Sequence, residues 1–245
     1  MGKIPFSDRV KYLFFPPKCV CCGEILTDPG YSRVFCRGCL TKIVGESSAS
    51  CTKCGKPYTR CVCAPVGFLP SALIYAFPYS GAMPETRKVI LSCKNAKRKD
   101  IFDYIARQLL LKSFYVFPLE GEYKVTFVPR SRKKELERNV DQARELAKSV
   151  SRLGGFELYE MFSRSGGTEQ KMLDREQRAI NASAAYSLRD GREKDADGGR
   201  FILVDDVVTT GATANACADL LYRAGAREVI CFSASKRDKR TEPVI

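Results

Sequence analysis

Histidine and tryptophan are absent from this 245-residue chain, and methionine occurs only four times. Without histidine, catalysis by a Ser-His or Cys-His pair and metal sites with imidazole ligands are excluded. Acid–base chemistry must therefore come from Asp, Glu, Lys, Tyr or Cys. No apolar run approaches the roughly 18 residues of a membrane span, and the short run at 12–15 is ended by Pro16 and Pro17. We expect a cytoplasmic protein without membrane insertion.

Positive charge is in clear excess, with 41 Lys and Arg against 28 Asp and Glu and a formal net charge of +13. Basic residues are concentrated at 87–99 and again at 236–240. Such runs can neutralise DNA or RNA phosphates, but they are also typical of solvated helix ends and a frayed tail. Single-stranded DNA is therefore a candidate partner, and the sequence leaves both interpretations open.

Nine of the twelve cysteines lie between Cys19 and Cys63, in two consecutive units of paired cysteines. A Cys-x-x-Cys turn binds one Zn²⁺ with two thiolates, and a second pair completes the tetrahedron. Disulfides would need an oxidising compartment, which the absence of a signal peptide argues against. We predict two structural zinc sites within an N-terminal module at 1–66, which begins with a short amphipathic helix at 6–14. The predicted ligands are Cys19, Cys22, Cys36 and Cys39 in the first unit and Cys51, Cys54, Cys61 and Cys63 in the second.

Two details of the cysteine units leave the ligand pairing open. The gap between Cys61 and Cys63 is one residue, which is tighter than usual, and Cys21 could replace Cys19 or Cys22. A region of this size with few large apolar side chains gains too little from burial alone to fold, so bound zinc would supply much of its stability. The predicted role of this module is a scaffold or contact surface.

Strand and helix patterns alternate through the predicted second domain at 67–245. Strands are predicted at 72–77, 125–128, 156–162, 201–204 and 228–233, and helices at 86–93, 100–111, 135–153, 173–181 and 212–224. This alternation is typical of an α/β fold in which helices flank a parallel sheet. In such sheets ligands bind beyond the carboxyl ends of the strands.

The strongest functional signal follows the most hydrophobic predicted strand. Asp205 and Asp206 end that strand, a loop rich in hydroxyl groups follows, and a helix begins at Ala212. The loop N–H groups and the helix N-terminus favour a phosphate, while the carboxylates can accept hydrogen bonds from ribose hydroxyls or hold Mg²⁺. A Walker A sequence and a Gly-x-Gly-x-x-Gly sequence are both missing. The pattern therefore predicts a site for a phosphorylated sugar.

The stretch from Leu203 to Thr213 resembles the signature with which type I phosphoribosyltransferases bind phosphoribosyl pyrophosphate (PRPP). The resemblance implies that Asp205 and Asp206 contact the ribose hydroxyls and that 209–213 hold the 5′-phosphate, with Mg²⁺ accompanying PRPP. It also implies a pyrophosphate loop at Pro129, Arg130 and Ser131. The ligand-binding residues so implied are Asp205, Asp206, Val207, Val208, Thr209, Thr210, Gly211, Ala212, Thr213 and Ser131.

A double four-cysteine module ahead of such a domain resembles the ComF family, which is associated with natural competence. Further similarities are Pro16-Pro17-Lys18-Cys19, Tyr79-Ser80-Gly81 and the spacing of Gln170, Leu173, Arg178, Asn181 and Tyr186. The chain departs from the family at Asn139 and Val140, where Gly and Phe are common. The resemblance implies a DNA-uptake role, with DNA-uptake proteins as candidate partners.

Loss of pyrophosphate from PRPP builds positive charge on the sugar and negative charge on the leaving group, so catalysis would rest on positioning and electrostatics. Arg130 and Lys94 are the predicted catalytic cations, with Arg132, Lys133 and Arg138 as further candidates. Two functions remain open: a phosphoribosyltransferase with an unidentified acceptor, and a non-catalytic DNA-uptake adaptor that binds single-stranded DNA and a phosphate or nucleotide.

Overall fold

A five-stranded, fully parallel sheet forms the centre of the computed structural model. The structure describes residues 14–26, 33–80, 82–93, 99–130, 140–164 and 185–237. In spatial order the sheet strands are β1 (Ala72–Tyr79), β7 (Glu228–Arg237), β6 (Arg200–Val208), β2 (Lys124–Phe127) and β3 (Glu157–Leu158). Strands β4 (Phe162–Arg164) and β5 (Tyr186–Leu188) form a separate antiparallel pair. The predicted parallel α/β fold is confirmed.

The described helices are α1 (Arg37–Ser48), α2 (Pro84–Cys93), α3 (Lys99–Val116), α4 (Gln142–Gly154), α5 (Glu193–Ala196) and α6 (Ala212–Arg223). Helices α2, α3 and α6 lie where the apolar spacing predicts them. The predicted helix at 173–181 and the N-terminal amphipathic helix at 6–14 lie outside the described residues, apart from residue 14.

Two sequence predictions need correction, and one helix was not predicted. Helix α4 begins at Gln142, later than the predicted residue 135, because the Asp141 side chain caps it by accepting a hydrogen bond from the backbone N–H of Arg144. The predicted strand at 156–162 is two strands, β3 in the main sheet and β4 in the antiparallel pair. Helix α1, which carries Cys39, was not predicted, because the cysteine spacing dominates the pattern there.

The two cysteine units pack on opposite faces of the sheet, beside its edge strand β1. Side chains of successive strand residues point to opposite faces. Ile202 and Val204 share a hydrophobic cluster with Cys19 and Cys39 of the first unit, together with helices α2, α3 and α4. Phe201 and Leu203 lie in the other cluster, with Cys51 and Cys61 of the second unit and helix α6. The N-terminal module therefore packs against both faces of the sheet beside β1.

Glu46 on α1 connects the first cysteine unit to the sheet domain. Its carboxylate accepts hydrogen bonds from the backbone N–H groups of Glu85 (3.0 Å) and Thr86 (2.8 Å) in the first turn of α2. The first N–H groups of a helix have no partner within the helix, and the helix dipole favours an anion there. An acidic side chain of the module thus caps a helix of the domain.

Across the described ranges, none of the helices is both long and apolar enough to cross a membrane.

Candidate functional site

Asp205 and Asp206 lie near the carboxyl end of β6, which extends to Val208 and so includes both acids within the strand. Each carboxylate accepts a hydrogen bond from the backbone N–H of the following residue, 2.8 Å for Asp206 N to Asp205 and 2.7 Å for Val207 N to Asp206. Asp205 is buried, with 8% of its surface exposed, whereas the Asp206 side chain is 32% exposed. Asp206 is therefore the more accessible of the two acids.

The pKa of Asp205 is raised well above its usual value, chiefly because burial disfavours the charged carboxylate. The negative charge of Asp206 raises the pKa further, and the guanidinium of Arg130 opposes the shift. The pKa values of the buried Cys217 and Cys231 thiols are also raised. Burial is the main cause, and the charge of Asp205 adds to it. The site thus holds one buried acid that resists ionisation next to one that faces the solvent.

Asp205→Asn should change how stability depends on pH. Because the folded-state pKa of Asp205 is raised, its contribution to stability is fully present below the usual carboxyl pKa and is lost as pH rises through the folded value. The amide does not titrate, so the variant should gain stability relative to wild type across that window, by up to about 1.4 kcal/mol per pH unit. Urea unfolding at a series of pH values measures this. Asp219→Asn, which removes an exposed ion pair with Arg223, is the control. Parallel curves of stability against pH for wild type and Asp205→Asn would contradict the raised pKa of Asp205.

The loop after β6 leads directly into helix α6. Gly211 occupies the N-cap position with φ 80°, in the left-handed region that favours glycine. A Cβ added there would also lie 2.7 Å from the ring of Phe68. Phe68 belongs to the segment between the cysteine module and β1. Asn215 on α6 holds this segment as well, because its side chain donates to the carbonyl of Gly67 (2.7 Å) and accepts from the N–H of Leu69 (2.8 Å). The segment that joins the cysteine module to the sheet therefore packs against the loop and fixes its path.

Arg130 follows β2 and reaches across to β6. Its guanidinium donates hydrogen bonds to the carboxylate of Asp206 and to the side-chain oxygen of Gln142, the first residue of α4. The Arg130 side chain is only 14% exposed, so this ion pair is shielded from solvent. The sequence predicted that Arg130 would face the same site as the acids, and the structure places it there.

A cavity of about 290 Å³ lies at this edge of the sheet. Its lining includes Arg130 from the β2 end, both acids of β6 and Thr213 from the first turn of α6. Arg164 and Tyr186, from β4 and β5, line the opposite side. Two of the predicted elements, the acid pair and the loop–helix junction, therefore meet around one space.

Arg164 is a site residue that the sequence did not reveal. Its guanidinium lies 5.1 Å from the ring centre of Tyr186, and its buried Nε has no hydrogen-bond partner among the described residues. Burial raises the pKa of the Tyr186 hydroxyl, and the charge of Arg164 opposes that shift. No local pattern marks Arg164, because only the β4–β5 pairing brings it to the cavity.

Several predicted site residues cannot be placed. Lys94, Ser131, Arg132, Lys133 and Arg138 lie outside the described residues. So do Gln170, Leu173, Arg178 and Asn181, which contributed to the ComF resemblance. Among the predicted loop residues, Thr209 is exposed, Thr210 and Thr213 are half-buried, and the Oγ1 of Thr210 lies 3.4 Å from the N–H of Ala212. Val207 lines the cavity, and Val208 is buried in the sheet.

The structure brings together both predicted cysteine tetrads. In each, the four sulfur atoms lie within 4.8 Å of one another. The Sγ atoms of Cys22 and Cys36 are 3.7 Å apart, and those of Cys54 and Cys61 are 3.6 Å apart. Four sulfurs at about 2.3 Å from one tetrahedral Zn²⁺ would be separated by about 3.8 Å. The spacing therefore fits zinc in both units.

The backbone around the cysteines has the same arrangement in both units. Gly23 and Gly55, which follow the two Cys-x-x-Cys turns, have φ values of 76° and 70°, and their N–H groups donate to the carbonyls of Cys19 and Cys51. In the second unit, the N–H of Lys53 and that of Cys63 also point at the sulfurs of Cys51 (3.4 Å) and Cys61 (3.5 Å). Such N–H groups stabilise thiolates.

Cys21 points away from the first tetrad toward helix α2, where its sulfur lies 4.0 Å from the backbone oxygen of Glu85. Its sulfur also lies within 4.8 Å of the Cys39 sulfur, which belongs to the first tetrad, and of a carboxylate oxygen of Glu85. Burial is the main cause that raises the pKa of Cys21 to about 12. Since Cys19, Cys22, Cys36 and Cys39 already form a complete set, Cys21 is not needed for the first unit.

The parallel sheet carries its acid pair near the end of β6, ahead of the loop that leads into α6. Residues 142–245 match the family described as "Phosphoribosyl transferase domain". This match begins at helix α4 and includes β6, α6 and β7. The C-terminal part of the chain is therefore a domain of this class.

The comparison with individual proteins extends the match to the N-terminal side. The chain is 28% identical over 191 residues to "DNA utilization protein YhgH" of Escherichia coli (strain K12), covering 73% of this chain and 80% of that protein. Together with the cysteine tetrads, this confirms the predicted resemblance to the ComF family. The crystal structure of TT1426 from Thermus thermophilus is 17% identical, covering 57% of this chain and 88% of that one, with a TM-score of 0.32.

Proposed function

We propose that this chain binds PRPP with Mg²⁺ at the carboxyl end of β6 and transfers the phosphoribosyl group to an acceptor in a process of DNA uptake. One observation carries the proposal: the acid pair, Arg130 and Thr213 in the first turn of α6 line a single cavity. Its volume of about 290 Å³ is close to the lower end for small-ligand pockets, and its open side leaves room for an acceptor.

The chemistry of the lining fits the parts of PRPP. The first turn of α6, with Thr213 and the hydroxyl-bearing loop before it, suits the 5′-phosphate, because N–H groups and the helix dipole favour an anion. The half-buried carboxylate of Asp206 suits ribose hydroxyls or Mg²⁺, which prefers oxygen ligands. Arg130 and Arg164 provide positive charge for the pyrophosphate.

Arg130 and Asp206 form an ion pair, which a bound ligand would have to replace. A ligand that carries both an anion and hydroxyl groups can replace this ion pair without leaving either charge unpaired, because its pyrophosphate would accept from Arg130 and its ribose would donate to Asp206. A simple anion would satisfy Arg130 alone and leave Asp206 uncompensated, which is costly at a shielded position. The pair therefore favours ligands that carry both groups.

Calorimetry with PRPP and Mg²⁺ tests the proposal. Wild-type protein should bind PRPP, and replacement of both acids (Asp205→Ala with Asp206→Ala) should weaken binding by at least about 100-fold, since each charged hydrogen bond is worth roughly 1.5–3 kcal/mol. Asp219→Ala, on the exposed face of α6, is the matched control. Binding that survives the double replacement would refute the site. A screen for pyrophosphate release across bases, amines and short oligonucleotides then identifies the acceptor.

A second function is favoured by an exposed aromatic pair. Phe114 and Tyr115 at the end of α3 are 71% and 75% exposed, with their rings 5.3 Å apart, and Arg107 is exposed on the same helix. Aromatic faces beside cations are typical of single-stranded DNA binding. A DNA-uptake adaptor without turnover would use this surface and keep the cavity for a phosphorylated signal. Binding of PRPP without pyrophosphate release toward any acceptor class would favour this alternative.

A further inference from the structure

Lys112 is a buried cation between the second cysteine unit and the sheet. It lies on α3 with 7% of its surface exposed, and its Nζ donates to the backbone carbonyls of Tyr58 (2.8 Å) and Tyr75 (3.0 Å). Tyr58 belongs to the cysteine unit and Tyr75 to β1. The same Nζ lies 3.7 Å from the centre of the Tyr75 ring. One ammonium group therefore connects a helix, the edge strand and the second unit.

The two carbonyls do not balance the charge of Lys112. Burial lowers its pKa to about 7, and the charge of Cys61 is the main opposing effect, followed at longer range by Cys51 and Cys54. Lys236, whose Nζ lies 5.8 Å from the Tyr75 ring, adds a second positive charge on this side and lowers the pKa of Lys112. A buried ammonium without an anion nearby is unfavourable. The negative charge available at this position is that of the cysteine sulfurs.

The Tyr75 hydroxyl faces the same unit. Tyr75 is fully buried, and its hydroxyl makes no hydrogen bond among the described residues. The sulfur of Cys61 is its neighbour, and a phenol hydroxyl that carries its proton is a hydrogen-bond donor. A buried donor without a partner is unfavourable. The Cys61 sulfur would be a suitable acceptor once it is a thiolate.

Metal binding supplies the missing anion. Four thiolates around one Zn²⁺ leave two net negative charges, and Cys51 and Cys61 are almost completely buried. We propose that Lys112 of α3 and Tyr75 of β1 are the outer-sphere partners of a zinc ion in the second cysteine unit and hold that ion in place. The inference rests on the assignment of zinc to this unit. Zinc in the second unit and packing of β1 against α3 then stabilise each other.

Chelator competition combined with alkylation of released cysteines tests this on the full-length protein. Mass spectrometry distinguishes the second unit from the first by the peptides that become alkylated. Lys112→Met keeps the length of the side chain and removes the charge. Outer-sphere replacements typically weaken metal binding about 10–100-fold. The chelator concentration that exposes half of Cys51, Cys54, Cys61 and Cys63 should fall by that factor, while the value for the first unit stays within about twofold of wild type.

Lys124→Met is the matched control. Lys124 is half-buried, donates to the carbonyl of Asp195 (2.7 Å) and lies 5.0 Å from the Tyr159 ring centre, so it resembles Lys112 but contacts other elements. It should leave both units unchanged. Tyr75→Phe, which removes one hydroxyl, should weaken zinc binding by the second unit alone. This variant tests the inference if Lys112→Met does not fold.

Three results would overturn the inference. The first is an unchanged chelator midpoint for the second unit in Lys112→Met or, where that variant does not fold, in Tyr75→Phe. The second is equal weakening of both units, which would indicate general destabilisation. The third is wild-type protein whose first unit holds zinc and whose second does not. Because the readout is metal retention, a failure of PRPP binding would not affect it, and the two proposals can fail separately.

Discussion

Replacement of Cys61 by Ser is expected to reduce the zinc content of the purified protein from two equivalents to about one and to lower its thermal stability severely. Cys61 is fully buried, and its sulfur lies 3.6 Å from that of Cys54. A structural zinc contributes roughly 10 kcal/mol or more at neutral pH, which is comparable to the whole stability of a typical domain. Loss of one thiolate ligand removes much of that contribution.

The effect should extend beyond the second unit. Leu73 and Tyr75 of β1 pack in the same hydrophobic cluster as Cys51 and Cys61, so an unfolded unit would expose one face of the sheet edge. We therefore expect Cys61→Ser to aggregate more readily on heating as well as to melt earlier. Metal analysis and thermal unfolding measure the two effects.

Cys21→Ser is the control for this experiment. Cys21 lies outside both tetrads, so the variant should keep two zinc equivalents and a thermal midpoint near that of wild type. One equivalent in Cys21→Ser would mean that Cys21 replaces a ligand of the first unit, as the sequence allowed. Two equivalents in Cys61→Ser would contradict the second tetrad.

The local patterns of the sequence were sufficient for most of the sheet. The strands β1, β6 and β7 are buried almost throughout and appear in the sequence as short apolar runs with clear ends. Strand β3 has only two residues, and its half-exposed side chains gave no separate signal. Helix α1 was missed because few of its side chains are buried, namely Cys39, Ile43 and Ser47, so its apolar spacing is weak.

The candidate site was predictable where its residues are neighbours in the chain. Asp205, Asp206 and the following loop form one continuous stretch. Arg164 reaches the cavity through the β4–β5 pair, and Lys112 reaches the second cysteine unit from α3, so each depends on tertiary packing that carries no local pattern. The two cysteine units, in contrast, could be predicted from the sequence, because the spacing of each ligand set follows the geometry of one metal ion.

Arg130→Met is expected to weaken binding of PRPP by roughly 100-fold and to change binding of ribose 5-phosphate much less. In the proposed arrangement the loop before α6 holds the 5′-phosphate, while Arg130, next to β2, faces the pyrophosphate. Removing one charged donor to a phosphate group costs about 1.5–3 kcal/mol, and the two arms of a guanidinium can bind two oxygens. Calorimetry with both ligands measures the two losses of affinity and hence their ratio.

The ratio distinguishes two roles for Arg130. In the ligand-free protein Arg130 compensates Asp206 and opposes the upward shift of the Asp205 pKa, so the variant should also protonate Asp205 more readily. If Arg130 acts only by organising these acids, both ligands should lose affinity equally, because both carry the ribose. A greater loss for PRPP requires direct contact with the pyrophosphate. Arg223→Met, which removes an exposed partner of Asp219 on α6, should leave both affinities unchanged and controls for the reduced net charge.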